Sequence, residues 1–203
     1  MASPKAERPV LLIVAGPNGS GKSSLYRETD IEALGRSVWI INPDELTVRI
    51  HDVEGLALGD ANLASVQRIE RWLEASIEAH QTVGVETVLS TPKYRRLVMK
   101  AKAFGFRIRL LYVALDTVER NIARVASRVR KGGHNVAEAD IRKRYERSLN
   151  QMPWFLDEAD DAWLFDNSGA APKLIGTKAN GVLALDEDAL PNIVRAIRNG
   201  LRG

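Results

Sequence analysis

No cysteine occurs among the 203 residues, which excludes a disulfide scaffold, a thiolate zinc site and thiol catalysis. That absence agrees with a cytoplasmic protein, the location expected here. No apolar run approaches the roughly 18–20 residues needed to cross a bilayer, so no membrane helix is expected. Internal repeats, low-complexity tracts and a Pro/Ser-rich linker are missing too, and the length suits one domain over residues 1–203. Net charge is also small, since 29 Lys+Arg against 26 Asp+Glu leave +3. At 45% apolar and 27% charged, the composition is that of a globular chain, not a disordered one or a coiled coil. The isoelectric point near 9.3 is the one deviant figure and hints at nucleic acid. Where the basic residues lie matters more than their excess.

Strand and helix signals alternate from end to end. Lys5 and Arg8 precede the apolar stretch Val10 to Ala15, an arrangement that imitates a secretory signal. The stretch is short, however, and runs into a glycine-rich loop with no small-residue cleavage site, so it reads as a buried first strand. Further strands are expected at 37–42, 83–88, 106–115 and 162–166, each an apolar run bounded by turn residues. Val66, Ile69, Leu73 and Ile77 form the stripe of a helix over about 61–80. Pro92 opens another, ending near Gly105, and Asp116 or Thr117 caps a third that stops at Gly132-Gly133. A helix over 138–151, a short one after Pro153, a hairpin around Asn180-Gly181 and a last helix over 188–200 complete the chain. Repeated βα units imply a doubly wound, mostly parallel sheet of about five strands, with flanking helices and a small C-terminal hairpin.

Gly16-Pro17-Asn18-Gly19-Ser20-Gly21-Lys22-Ser23 satisfies G-x-x-x-x-G-K-[ST] between a strand and a helix, and Ser24 follows it. Glycines let the backbone curl so that successive N–H groups point at phosphate oxygens, and the helix N-terminus adds its positive end. Lys22 reaches the β- and γ-phosphates and Ser23 turns its hydroxyl oxygen to Mg²⁺. The expected cofactors are ATP, favoured over GTP, and Mg²⁺.

The acceptor must be read from the ends of the other strands, since ligands of open α/β sheets gather beyond the C-terminal edge. There, Asn42-Pro43-Asp44-Glu45 and Glu86-Thr87-Val88-Leu89-Ser90 each bring a carboxylate. A kinase needs one group to deprotonate the acceptor and others to hold the metal. Asp44 suits the first task, against the plainer alternative of an N-cap after a Pro turn. Glu86 suits the metal or the substrate, with Thr87 and Ser90 as substrate contacts, because a carboxylate inside an apolar strand is costly unless paired. Asp116, after the run Leu110 to Leu115, is a rival magnesium carboxylate, although capping fits it better.

Between Arg120 and Arg147, nine Lys/Arg face three acids, a local +6 that leaves the remainder net acidic. Arg120, Arg124, Arg128, Arg130, Lys131, Arg142, Lys143, Arg144 and Arg147 are either a solvated basic face or an arginine lid over about 120–150. A lid would stabilise charge on a transferred phosphoryl group, with Gly132-Gly133 as its hinge. His134 reads as a loop contact rather than a zinc ligand. By analogy with other P-loop kinases, the segment Leu164-Phe165-Asp166-Asn167-Ser168 that ends the fifth strand is expected to approach the adenine, while Trp154, Phe155, Trp163 and Phe165 read as core.

Together these residues resemble the zeta-toxin-like P-loop kinases, especially the small chromosomal proteins labelled predicted ABC-type ATPases. The resemblance runs from about Leu11 to Ser168 and includes Arg124-Val125-x-x-Arg128-Val129-x-x-Gly132-Gly133-His134-x-Val136 and Ile141 to Ser148. It implies ATP-dependent phosphorylation of a small hydroxylated acceptor, in characterised members a UDP-activated amino sugar. It further implies Asp44 as the base, Lys22 on phosphate, Glu86 at the substrate or metal, and Arg128 and Arg144 on the γ-phosphate. An antitoxin partner is implied by the resemblance alone. The chain departs from the pattern at Ala137, where proline is expected. A polynucleotide or RNA 5′-hydroxyl kinase and a non-catalytic nucleotide-binding module are the competing readings. The concentration of basic charge in one segment argues against nucleic acid, and the missing Leu-Ser-Gly-Gly-Gln signature argues against a transporter ATPase.

Overall fold

The computed structural model describes residues 8–28, 38–133 and 135–200. Ser37, expected to open the second strand, and His134 lie outside the described residues. Val10–Ala15 forms β1, and its alternate residues are buried on opposite faces. Leu11, Ile13 and Ala15 join a large apolar cluster, while Leu12 and Val14 join a smaller one with Leu25, Leu111 and Val113. A parallel strand covered on both faces has to be apolar throughout, and this one is.

The other parallel strands are β2 (Ile40–Ile41), β3 (Val83–Thr87), β4 (Arg107–Ala114) and β5 (Asp161–Asp166). Two antiparallel strands follow, β6 (Lys173–Ala179) and β7 (Val182–Leu185). The sheet order is β2-β3-β1-β4-β5-β6-β7. The expected hairpin therefore does not stand apart but extends the sheet to seven strands, because β6 pairs with β5. Asn180 and Gly181 both take positive φ (52° and 77°), the demand of a tight hairpin turn.

Helices α1 (Lys22–Glu28), α2 (Pro43–Glu54), α3 (Leu58–Glu78), α4 (Arg95–Ala103), α5 (Val118–Arg130), α6 (Glu138–Glu158) and α7 (Pro191–Gly200) flank the sheet. Ile69, Leu73 and Ile77 carry the stripe of α3 into the core, with Val66 only half-buried. α2 was not among the expected helices. α6, expected as two helices, runs unbroken through Pro153 because Met152, Phe155 and Leu156 are buried on both sides of that residue and hold the helix together. Among the described residues no helix is long and apolar enough to cross a membrane.

Candidate active site

In the order β2-β3-β1-β4-β5, the strands on either side of β1 wind in opposite directions, so a crevice opens beyond their C-terminal ends. The loop over Gly16–Gly21 curls there before α1 begins at Lys22. A Cβ at Gly16 would lie 2.1 Å from the Val113 carbonyl oxygen, and one at Gly21 would lie 2.2 Å from Asn167 Nδ2. Only glycine lets the loop press this closely on its braces. Two asparagines supply those braces. Asn167 donates to the Ser20 carbonyl at 2.8 Å, and Asn121, on α5, donates to the Asn18 carbonyl at 2.6 Å. Asn167 thus supports the phosphate loop itself.

Lys22 is 7% exposed, and its ammonium donates to the carbonyls of Gly16 (2.9 Å) and Pro17 (3.1 Å). Burial draws its pKa below the ordinary lysine range, Glu86 and Asp44 oppose that shift, and Arg128 adds to it. Glu86 lies in register with Val14 on β1 and is 8% exposed. Its Oε2 accepts from Ser23 Oγ at 2.9 Å, Tyr26 Oη at 2.9 Å and Asn42 Nδ2 at 3.1 Å, and Oε1 stands 3.9 Å from Lys22 Nζ. Those three donors and the neighbouring cation offset the cost of burying the charge.

Asp44 is the second residue of α2, not its cap. Asn42 is the N-cap, its Oδ1 accepting from the Asp44 N–H at 2.9 Å, and Pro43 takes the first helical position. Asp44, Lys22, Glu86, Arg128 and Arg144 line one cleft of about 400 Å³. Thr87 and Ser90 line it as well. Thr87 Oγ1 accepts from the Leu89 N–H at 3.0 Å and steadies a turn in which Leu89 takes φ +59°. Asn62, Lys93 and Tyr94 complete the far wall. The Lys93 ammonium lies 4.7 Å from the Tyr94 ring centroid, and burial lowers its pKa against the pull of Glu70. A second cavity of about 510 Å³ shares Lys22, Glu86 and Arg128 with the first and is bounded besides by Ser23, Ser24, Arg124, Lys131 and Asn167.

The basic segment therefore divides. Arg128 and Arg144 face the cleft with Asp44. Arg124 donates to the Asn167 carbonyl at 2.7 Å and borders the phosphate loop with Lys131. Arg120 instead pairs with Asp116 at 2.7 Å, and Arg142 bridges Glu119 and Glu138 at 2.8 Å each. The Asp116 carboxylate is thus engaged by Arg120. Thr117 caps α5, its Oγ1 accepting from the Arg120 N–H at 3.4 Å. Arg130, Lys143 and Arg147 are exposed.

Among the described residues no three His, Cys, Asp or Glu side chains cluster as a metal cage. The Ser23 hydroxyl and Glu86 carboxylate still form a hard-oxygen pair beside the phosphate loop. Such a pair fits Mg²⁺, which takes few protein ligands and completes its shell with phosphates and water. Tyr26, the side chain of Asn42 and Lys93 were not assigned from the sequence. Signals for the first two were present, since Tyr26 lies three residues after Ser23 on one helix face and Asn-Pro-Asp-Glu has the form of a helix start.

The profile of the zeta toxin family matches residues 1–159. A Haemophilus influenzae protein described only as uncharacterized is 30% identical over 134 residues, covering 66% of this chain and 91% of its own. Among solved structures, the AvrRxo1-ORF1:-ORF2 complex with ATP superposes with a TM-score of 0.70 at 14% identity, over 91% of this chain. The chain spans 62% of the length of that structure's chain. The PezAT chromosomal toxin-antitoxin system of Streptococcus pneumoniae superposes with a TM-score of 0.58 at 11% identity, covering 98% of this chain and 87% of its own. The fold is that of P-loop kinases, and the chain belongs to the zeta toxin family.

Proposed function

We propose that the protein is an ATP-dependent kinase that transfers the γ-phosphoryl group to a hydroxyl of a small, negatively charged acceptor, best matched by a sugar nucleotide. The observation that carries this reading is that Asp44, Lys22, Arg128 and Arg144 line a single cleft. The acceptor enters on the side of Asn62, Ser90 and Lys93, whose hydrogen-bonding and cationic groups suit sugar hydroxyls and an anionic tail. Asp44 takes the proton of the attacking hydroxyl as its oxygen bonds to the γ-phosphorus. The bond from that phosphorus to the β–γ bridging oxygen breaks, and ADP leaves. Backbone N–H groups of Asn18–Ser24 and the Lys22 ammonium hold the phosphates, and Arg128 and Arg144 face the charge spread over the transferred group. Ser23 and Glu86 would hold Mg²⁺, which when bound would neutralise phosphate charge. ATP is the proposed nucleotide, in keeping with the ATP in the AvrRxo1 complex. An antitoxin partner and a cytoplasmic location are proposed on the family's pattern.

The test is incubation of the protein with γ-labelled ATP and a pool of sugar nucleotides, nucleosides and oligonucleotides. Label on a sugar nucleotide is the expected result. Label on oligonucleotides alone, with binding that weakens steeply with salt, would make the protein a polynucleotide kinase. Absence of any acceptor-dependent ADP release would leave only a nucleotide-binding module.

A further inference from the structure

We infer that Asn42 is a positioning residue whose amide ties the N-terminus of α2, and with it Asp44, to the Glu86 carboxylate. Its catalytic meaning rests on the kinase reading above, but its geometry does not. The two ends of one side chain serve two elements. Oδ1 accepts from the Asp44 N–H at 2.9 Å, and Nδ2 donates to Glu86 Oε2 at 3.1 Å. Both contacts fix the amide the same way round, because the flipped amide would set oxygen against carboxylate and N–H against N–H. Serine, threonine or aspartate would cap the helix equally well. None of them, at this length, also presents a donor to Glu86.

The tie acts at the entry to α2, whose body is held by α3: Ser65 Oγ donates to the Pro43 carbonyl at 3.1 Å, Arg68 pairs with Glu54, and Ile50 is buried. The strand that leads into α2, β2, is two residues long, lies at the edge of the described sheet and pairs through Ile40 with Gly84 and Ile41 with Val85. Glu86 Oε2 also receives Ser23 and Tyr26 from α1, so α1, β3 and the start of α2 meet on one oxygen. The charged groups lining the cavities at this point are Lys22 on α1, Asp44, Glu45, Arg49 and Asp52 on α2, Glu86 on β3, Lys93 after it, Arg128 on α5 and Arg144 on α6. A carboxylate in place of the Asn42 amide would face Glu86 directly. An amide holds the two acids in place without adding charge.

Asn42→Asp separates the two contacts, since it keeps the cap and the size but removes the donor and sets a carboxylate against Glu86. A residue that only caps the helix would leave this variant at the wild-type Tm. The inference predicts a Tm lower by roughly 3 °C or more. It also predicts recovery when Glu86→Gln is added, because the glutamine amide then donates to the introduced carboxylate. An unchanged Tm, or no recovery in the double variant, overturns the inference. With an acceptor in hand, Asn42→Ser, which keeps only the cap, should lose about 10²-fold in kcat while the KM for ATP changes little, the cost expected of a base displaced by about 1 Å. Full kcat in Asn42→Ser overturns the positioning role. A wild-type protein that phosphorylates nothing sinks the kinase reading instead, and the Tm cycle still decides whether Asn42 makes the tie.

Discussion

Gly21 is held at φ +91° with Asn167 Nδ2 only 2.2 Å from where a Cβ would sit, and that same amide donates to the Ser20 carbonyl. Gly21→Ala is expected to combine backbone strain with loss of this brace, costing roughly 1–3 kcal/mol and weakening ATP binding with it. Chemical denaturation and nucleotide titration of the variant check both effects. Gly133 poses a different constraint, because a Cβ there would press to 2.6 Å on Cγ of Arg128. Gly133→Ala should displace the guanidinium and lower kcat by about 10-fold or more, within the range of a lost transition-state contact. Its Tm should fall little, since the atoms pressed first belong to the flexible, exposed Arg128 side chain rather than to the core. The phosphate-loop glycines were legible because the motif itself demands them. The seat that Gly133 gives Arg128 was not, because nothing in Gly132-Gly133 says which side chain crosses it.

The elements differ in how plainly their sequences announce them. β1 could be read from six apolar residues, and the hairpin from Asn180-Gly181. α2 could not, because only Thr47 and Ile50 of its side chains are buried, too thin a stripe to show a helical period. α6 was read as ending before Pro153, a sound local rule overridden by tertiary packing. A Cβ on Gly200 would lie 2.3 Å from Pro153 Cβ, so the end of α7 rests on that proline. The basic segment shows the same limit. Its charge was evident in the sequence, but its division into cleft arginines and surface pairs was set by which acids α5 and α6 bring opposite. Arg142 on α6 joins the two helices through Glu119 on α5, and it also pairs with Glu138 one turn back on its own helix. Hydrogen bonding to Arg142 holds the Glu119 carboxyl below its ordinary value of 4.5. Its contribution to stability is therefore present above that ordinary value and is lost as pH falls through the lower folded one. The Tm difference between the wild type and Arg142→Met should then be present at pH 7 and shrink as pH drops below about 4. A difference that is the same at both pH values would remove this pair from the account.

At the scale of the whole molecule, the excess of basic charge reduces to one segment, and part of that segment converges on the phosphate loop. Phosphate binding was legible because strand, loop and helix are contiguous in sequence. The acceptor wall was not, because Asn62 on α3, Ser90 and Lys93 after β3 and Arg144 on α6 come together only once the sheet is wound. The account's central claim is that Asp44 takes the proton of an acceptor hydroxyl in that cleft. The most direct test is single-turnover phosphoryl transfer by Asp44→Asn and wild type on the acceptor identified from the pool, with ATP affinity measured in parallel. The account predicts unchanged ATP affinity and a transfer rate lower by about 10²–10⁴-fold, the usual worth of a general base. Full transfer by Asp44→Asn would contradict it.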